Sequence, residues 1–293
     1  MGSVMCRKNP GFIDMKRRLE KITEGELISN SLWSNKIEQD CKNQNVFLAI
    51  RDNRIDLYHK GGKLFTYDRN GFKTHLKYAS VISSNGKDYL TEAELSDCKL
   101  ASDFESNYLR IKENCSNYTG IEATGVAEIY HKHSYLSDSN VVVLDVEISF
   151  ESLNQENNQD RIDILLFNKE SKTLQFVEAK HFSNNEIWSR TTPKVISQIK
   201  RYESQLTKRK NEILSEYIDY IKVINGIFNI ALPEPEELED NVTLLTFGFD
   251  NDQKNGRLKK LIFQNNEYKG LKNYSIGNIK KVVTGNLWNA KVL

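Results

Sequence analysis

The spacing of apolar and polar positions divides the chain into two parts. In the first part, four short apolar segments, VFLAI, RIDLY, KLFTY and FKTHLKY, follow one another between residues 46 and 78. Turn signals such as Asn70-Gly71 separate them, and the last segment alternates apolar with polar residues along its length. This pattern predicts an antiparallel β-meander with one face in water.

Beyond the meander the elements become longer. Residues 105–135 have the apolar spacing of a helix, and three strands are predicted from SNVVVLDVEISF, DRIDILLF and TLQFVEAKHF. Thr192 and Pro193 mark the start of the helix PKVISQIKRYESQL, because Thr caps helices and Pro is favoured in the first turn. A second helix is predicted at 210–228, a fourth strand from TLLTFGFD, and a final helix near 255–264.

Together these elements predict a mixed α/β fold class. A shift in composition around residues 80–105, towards Ser, Asp, Lys and Glu, marks a soft boundary. We expect a small β-rich N-terminal domain with leading helices over residues 1–104. A mixed sheet flanked by helices is expected over residues 105–293.

Composition excludes several classes of protein. The chain of 293 residues is 39% apolar and 28% charged. It has no run of about 18 apolar residues, and its start lacks the apolar segment of a secretory signal. Its four cysteines, Cys6, Cys41, Cys98 and Cys115, lack C-x-x-C spacing and are expected to be free thiols. We therefore expect a cytoplasmic protein that does not enter a membrane.

The net charge of +1 argues against a protein that coats DNA. Binding of nucleic acid nevertheless needs only a local basic patch. Three basic stretches, at 208–210, 257–260 and 279–281, are candidates for such a patch. A solvated helix face is the alternative interpretation of each stretch.

The stretch TLQFVEAKHF places two opposite charges where a core strand should still be buried. Residues two apart in a strand point to the same side, so Glu178 and Lys180 share a face. Asp163 lies in the preceding apolar strand, and a hairpin of this length can place its carboxylate beside Glu178. Two carboxylates and one ammonium group suit a hard cation such as Mg²⁺, which prefers oxygen ligands.

Asp163, followed by Glu178-Ala179-Lys180 at the end of the next strand, resembles the D…(D/E)-x-K core of the PD-(D/E)XK nuclease superfamily. This superfamily has the restriction-endonuclease-like fold. Gln198 and Tyr202, four apart on the following helix, resemble the Q-x-x-x-Y element of many RecB-like members. This element would orient the lysine or a phosphate. The resemblance covers about residues 105–250.

Further acidic residues lie near this core. The superfamily often adds a glutamate from the helix before the first strand, and both Glu122 and Glu128 occupy that helix. Glu147 projects from the first strand among apolar neighbours, with Asp145 on the same face, and is a further candidate site residue. Ile162 stands where many members have a proline.

The resemblance implies hydrolysis of phosphodiester bonds in nucleic acid, with DNA as the expected substrate. Mg²⁺, for which Mn²⁺ can substitute, would be held by Asp163, Glu178 and the backbone carbonyl of Ala179. Lys180 would position the nucleophile or offset negative charge on the phosphate.

Several features of this function stay open at the level of sequence. A homodimer would suit cutting of both strands of a duplex. The target is either DNA or RNA, cut either from an end or internally. The alternative function is a non-catalytic module on the same fold that binds nucleic acid or protein.

Overall fold

The N-terminal part of the chain forms the predicted antiparallel meander. The computed structural model describes residues 15–82, 91–93, 98–150, 160–189 and 191–293. Helical segments precede the meander: α1 (Lys21–Ile28), a π-helical turn (Trp33–Ile37) and α2 (Glu38–Lys42). The strands, which pair in chain order, are β1 (Phe47–Arg51), β2 (Arg54–His59), β3 (Gly62–Asp68) and β4 (Gly71–Lys73).

The fourth strand is shorter than its alternating pattern predicts. It ends at Lys73, and α3 (Leu76–Ala79) follows instead of a continued strand. The His75 side chain accepts a hydrogen bond from the Lys77 N–H and so caps the new helix. Local capping therefore overrides the alternation of apolar residues. Two further strands, β5 (Ser80–Ile82) and β6 (Cys98–Leu100), pair with each other.

A mixed sheet occupies the second half, which confirms the mixed α/β fold class. Two helices precede it where one helical stretch was predicted: α4 (Tyr108–Asn117) and α5 (Ile121–Lys132). The antiparallel strands are β7 (Val141–Phe150), β8 (Asp160–Asn168) and β9 (Thr173–His181). The later strands are β10 (Glu237–Leu238), β11 (Thr243–Phe247), β12 (Lys272–Ile276) and β13 (Lys291–Val292).

The strand order of this sheet places β9 at its centre. The order is β13-β12-β11-β9-β8-β7, with β10 beside β9. The pairs β9–β11 and β11–β12 are parallel, whereas β7, β8 and β9 form an antiparallel meander. A parallel neighbour needs a crossover connection, and a long helix between β9 and β11 provides it.

This crossover helix, α6 (Lys194–Phe228), consists of two helical parts joined at a kink, in agreement with the two helices that were predicted. The kink is at Arg209, where the backbone leaves helical geometry with φ −115° and ψ 17°. Pro193 occupies the N-cap position, so the prediction of Thr192 as the cap is wrong by one residue. Further helical segments among the described residues include α7 (Asn251–Gln253), a π-helix (Lys254–Phe263), α8 (Thr284–Trp288) and the 3₁₀ turns Asn185–Ile187, Asn266–Tyr268 and Ile279–Lys281. The π-helix takes the place of the predicted final helix.

Buried aromatic residues join the meander to the second half. The Phe47 ring packs against Tyr130 and Tyr135, with 5.2 Å between ring centroids in each pair. The Tyr135 hydroxyl donates to the Leu48 carbonyl at 2.8 Å. The two predicted domains therefore share buried contacts, and the boundary between residues 104 and 105 stays a prediction.

Two other predictions concern membranes and thiols. Among the described residues, no helix combines the length and the apolar character needed to cross a bilayer. Cys41 and Cys115 are buried free thiols, as predicted. Cys6 and the side chain of Cys98 lie outside the described residues.

Candidate active site

The β8–β9 hairpin brings two carboxylates together at one end of the mixed sheet. Ile164 and Val177 form the last pair of the β8–β9 ladder, and extending this antiparallel register by one residue sets Asp163 opposite Glu178. The Ala179 N–H donates to Asp163 Oδ2 at 2.8 Å, which holds the aspartate against the neighbouring strand. The two carboxylates that the sequence pattern predicted to meet are therefore neighbours.

Lys180 lies among three carboxylates. Its Nζ atom is 2.7 Å from Glu178 Oε1, 3.1 Å from Glu186 Oε2 and 3.9 Å from Glu122 Oε1. The side chains of Lys180 and Glu178 are 7% and 1% exposed. Because water is largely excluded from this pair, its attraction is screened less than that of a surface ion pair.

Burial changes the protonation of these groups. It raises the pKa of Asp163 to about 7, against the opposing attraction of Lys180. Burial, together with repulsion from Asp163, raises the pKa of Glu178 well above its ordinary value. Burial alone would lower the pKa of Lys180, but Glu178 and Asp163 more than compensate and hold it above its ordinary value. The ammonium group therefore stays charged at neutral pH, while joint ionisation of the two carboxyl groups is disfavoured without a second cation.

One oxygen of the site has no protein partner. Glu178 Oε2 is buried and accepts no hydrogen bond from the described residues, while Oε1 faces Lys180. A buried carboxylate oxygen without a partner is destabilising, and a cation beside it would remove that penalty. Asp163, Glu178 and the Ala179 carbonyl offer the hard oxygen donors that Mg²⁺ prefers. These residues therefore fit a divalent cation.

The protein would supply only a few ligands to such a cation. Within the described ranges, no group of three or more His, Cys, Asp or Glu side chains is arranged to hold a metal ion. The candidate donor set therefore contains two carboxylates, from Asp163 and Glu178. Sites of this kind are typical of Mg²⁺, which keeps several waters and is completed by substrate phosphate.

The structure distinguishes the two glutamates of the preceding helix. Glu122 Oε2 accepts hydrogen bonds from the His181 N–H at 2.8 Å and from Asn184 Nδ2 at 2.9 Å, directly after β9. Glu128 lies two turns further along α5, where its Oε1 is 3.6 Å from Nζ of Lys280 in the basic stretch 279–281. Of the two candidates, Glu122 is the one that lies at the site.

Glu147 lies beside the site on β7, the edge strand that pairs with β8. The register of β7 and β8 places it opposite Asp163. Its Oε2 atom is 2.9 Å from Arg161 Nη1. The backbone of Glu147 has φ +53°, a left-handed conformation that side chains other than glycine adopt at a cost of about 1 kcal/mol. Its catalytic role stays a prediction.

Asp145 has different partners from Glu147. Its buried carboxylate is 2.9 Å from Arg51 Nη1 and 3.1 Å from Arg17 Nε. It also accepts a hydrogen bond from the Tyr217 hydroxyl at 2.9 Å. Because two arginines already neutralise this carboxylate, we assign it to the packing of the fold and not to the site.

Gln198 and Tyr202 form a short hydrogen-bond chain. Gln198 Nε2 donates to the Tyr202 hydroxyl, and this hydroxyl donates to the Arg161 carbonyl. Lys180 forms its ion pairs with carboxylates. Gln198 and Tyr202 therefore take no part in these ion pairs. The contact with Arg161 instead anchors α6 to the backbone two residues before Asp163.

Glu186 is a site residue that sequence reasoning missed. It lies in the 3₁₀ turn Asn185–Ile187, where its N–H donates to Asn184 Oδ1 at 2.9 Å. This capped turn directs the glutamate back to Lys180. The sequence Asn-Asn-Glu, which begins three residues after the strand ends, is a signal for such a turn, because Asn side chains often bond to the backbone two residues on.

The predicted basic stretches differ in their surroundings. On α6, Arg209 and Lys210 pair with glutamates, as expected for a solvated helix face. The stretch 257–260 instead contacts the segment that follows β9, since Cζ of Arg257 lies 4.2 Å from the centre of the Trp188 ring. Trp188 in turn donates its indole N–H to the Phe182 carbonyl, two residues after Lys180.

The convergence of Asp163, Glu178 and Lys180 at one end of the β8–β9 hairpin is the observation from which function can be argued. Glu122 and Glu186 add two further carboxylates within 3.9 Å of Lys180 Nζ. Compared with family models, with curated proteins and with solved structures, the chain matches none of them.

Proposed function

We propose that the chain is a Mg²⁺-dependent nuclease of the PD-(D/E)XK type that hydrolyses phosphodiester bonds, with DNA as its substrate. The observation that supports this proposal is the meeting of Asp163 and Glu178 beside a buried, charged Lys180. A strand order in which an antiparallel meander is followed by a helix and a parallel strand agrees with the restriction-endonuclease-like fold. Fold alone would not support an activity.

The two carboxylates are suited to hold a cation and not to act by themselves. Asp163, Glu178 and the Ala179 carbonyl would hold Mg²⁺, and the partnerless Glu178 Oε2 supports this assignment. Bound there, the ion would polarise the scissile phosphate and lower the pKa of a bound water. Mn²⁺ has similar oxygen-ligand chemistry and is expected to substitute.

Lys180 acts as a fixed positive charge in this proposal. Its raised pKa keeps the ammonium protonated, so it can donate hydrogen bonds to a phosphate oxygen or to the attacking water but cannot accept a proton at neutral pH. Negative charge that develops on the phosphate is stabilised by such a preorganised cation. Glu122 and Glu186 position the ammonium by holding it from two further sides.

The test is cleavage of plasmid and of single-stranded DNA in Mg²⁺, Mn²⁺ or EDTA. Asp163→Asn and Lys180→Met keep the shape of each side chain and should lower the cleavage rate about 100-fold or more. EDTA should abolish cleavage by the parent protein. Lys272→Ala is the control, because Lys272 lies on β12, where it pairs with Glu239 and not with the carboxylates around Lys180.

The outcomes separate the proposal from its alternative. Cleavage by both site variants at the parental rate, with circular dichroism showing intact folds, would mean that the site is assigned wrongly. Binding of DNA without cleavage in any metal would favour a non-catalytic module on this fold. Relaxation to linear plasmid without a nicked intermediate would support a homodimer that cuts both strands.

A further inference from the structure

A cavity of about 550 Å³ opens next to the candidate active site. Its walls come from α5, from the ends of β9, β11 and β12, and from the 3₁₀ turn Ile279–Lys281. This volume lies in the range of roughly 300–1,000 Å³ that is usual for small-molecule sites. The candidate nuclease chemistry does not use this cavity.

The cavity lies where sheets of this kind bind ligands. His181, Phe247 and Gly277 line it, and each stands at the carboxyl end of one of the three parallel strands or directly after it. In open α/β sheets, ligands bind outside the carboxyl ends of parallel strands. The Gly248 N–H donates to the Gly277 carbonyl at 3.0 Å and closes the floor between two of these strands.

The cavity and the active site share two elements. His181, which lines the cavity, follows Lys180 directly on β9. The His181 N–H donates to Glu122, and the neighbours of Glu122 on α5, such as Ile121, form another wall. Successive side chains of a strand point to opposite faces, so the link between the cavity and Lys180 is Glu122, whose Oε1 atom is 3.9 Å from Lys180 Nζ. A group held in the cavity would therefore be separated by this one side chain from a phosphate that faces Lys180.

The chemistry of the walls favours a flat, partly polar ring. The rings of His181 and Phe247 pack edge to face with 5.4 Å between their centroids, and Gly248, at φ +82°, leaves space that a side chain would take from His181. Ile121 is 62% exposed and offers an apolar surface. At the rim, Asn278 and Lys280 supply an amide and an ammonium group. Apolar walls with a few polar groups are the usual setting for an oriented ring system.

We propose that this cavity holds the base of an unpaired nucleotide in a DNA strand whose phosphate lies at the active site, so that the substrate class is single-stranded DNA. The inference rests on the proposed nuclease function, because that function places a phosphate beside Lys180. In a duplex the bases are stacked and paired, so a base reaches such a cavity only after it is extruded from the helix at an energetic cost. An unpaired base enters without that cost.

The experiment measures the affinity of the full-length chain for three fluorescent ligands by anisotropy, in EDTA so that no cleavage occurs. The ligands are a single-stranded DNA oligonucleotide, the same strand with abasic sites throughout, and the blunt duplex. The intact single strand should bind about tenfold more tightly than either other ligand, because stacking of each base on a protein surface adds to affinity.

A pair of variants connects this preference to the cavity. Ile121→Ala should weaken binding of the intact strand about threefold by removing apolar surface, and leave the abasic strand unaffected. Leu109→Ala is the matched control, since Leu109 is 77% exposed on α4 and does not line the cavity. It should bind every ligand as the parent does.

The results distinguish this inference from the proposed function. Equal affinity for intact and abasic strands, or equal weakening of both by Ile121→Ala, overturns the base-binding cavity even if plasmid is cleaved in Mg²⁺. A base-dependent preference that Ile121→Ala reduces supports the cavity even if no DNA is cut, and only the nuclease proposal then fails.

Discussion

Single buried charges in this chain differ in what surrounds them. Asp145 is neutralised by Arg51 and Arg17. Asp163 and Glu178 instead share one lysine, and one oxygen of Glu178 has no hydrogen-bond partner within the described part of the chain. A charge that serves only the fold is expected to be fully paired, because an unpaired buried charge is destabilising. The incomplete pairing is therefore what the proposed cation site would require.

Protonation of one histidine should make the fold sensitive to acid. His131 Nε2 accepts a hydrogen bond from the Lys60 N–H at 3.1 Å, so this nitrogen carries no proton in the folded chain. Burial, with His59 nearby, lowers the pKa of His131 to about 3. The unfolded chain then binds the proton more readily, and stability is lost as the pH falls from about 6.5 towards 3.

His131→Gln retains an acceptor for the Lys60 N–H but cannot be protonated. Between pH 7 and pH 4, its free energy of unfolding should fall by about 2 kcal/mol less than that of the parent. Urea unfolding at the two pH values measures this difference. His75→Gln is the control, because exposed His75 also accepts from a backbone N–H. The same pH dependence in the parent and in His131→Gln would contradict the prediction.

Helix α5 both packs on the mixed sheet and carries Glu122, a residue of the candidate site. It packs on the sheet through Gly125, where a Cβ atom would lie 2.3 Å from Cε2 of the buried Phe247. Only glycine permits this approach of the helix to β11. Glu122 lies one turn earlier on the same helix and depends on it to reach Lys180.

Gly125→Ala should therefore act on stability and on activity together. The added methyl group overpacks the contact with Phe247, and we expect a loss of about 1–3 kcal/mol in the free energy of unfolding. Cleavage should fall as Glu122 moves away from Lys180. Gly25→Ala is the control: it lies within α1 with open space around it, and alanine there should raise stability by about 0.5–1 kcal/mol. Unchanged melting of Gly125→Ala would contradict the packing argument.

Over the whole molecule, the N-terminal meander and the mixed sheet are joined by charge as well as by apolar packing. Arg51 ends β1 and reaches both the Asp145 carboxylate and, through Nη2, the Val146 carbonyl at 2.6 Å. Arg17 adds a second cation from a segment before α1. The meander is therefore expected to stabilise β7, the strand that carries Glu147.

Removal of the shared carboxylate tests whether the two parts fold as one unit. Asp145→Asn removes the anion that the two buried arginines share, leaving Arg51 with Asp56 at 3.8 Å, and should lower the free energy of unfolding by about 3 kcal/mol. Unfolding should remain a single transition when it is followed in urea by fluorescence and by circular dichroism. Asp68→Asn, which removes an exposed pair with Lys73, should change stability by less than about 1 kcal/mol. Two separate transitions in the parent would show independent domains, as the sequence boundary predicted.

Local pattern was sufficient to predict the centre of the candidate site. The apolar strands β8 and β9 and the short connection between them determine a register, and the register alone brings Asp163 to Glu178. The same pattern misjudged the segment after β4, because capping by His75 is a detail that periodicity does not contain. The pattern did locate the kink of α6, because the two predicted helices meet near Arg209, where the backbone departs from helical geometry.

Contacts between distant segments could not be predicted in this way. The preference for Glu122 over Glu128 depends on how α5 lies against the end of β9. Glu186 reaches Lys180 through an irregular turn. The pairing of Asp145 with Arg17 and Arg51 crosses 128 and 94 residues of chain, and one sequence offers no signal for such pairs.

The left-handed backbone of Glu147 has a consequence for laboratory evolution. Glycine would relieve the conformational penalty at φ +53°, so a library selected for thermostability alone should replace this glutamate with glycine. A library selected for DNA cleavage should retain the carboxylate beside Arg161 and Asp163 if it serves the proposed chemistry. Deep sequencing of the two selected populations at the codon for residue 147 would compare the frequencies of glycine and glutamate. This comparison would separate the requirement of the fold from that of the proposed site.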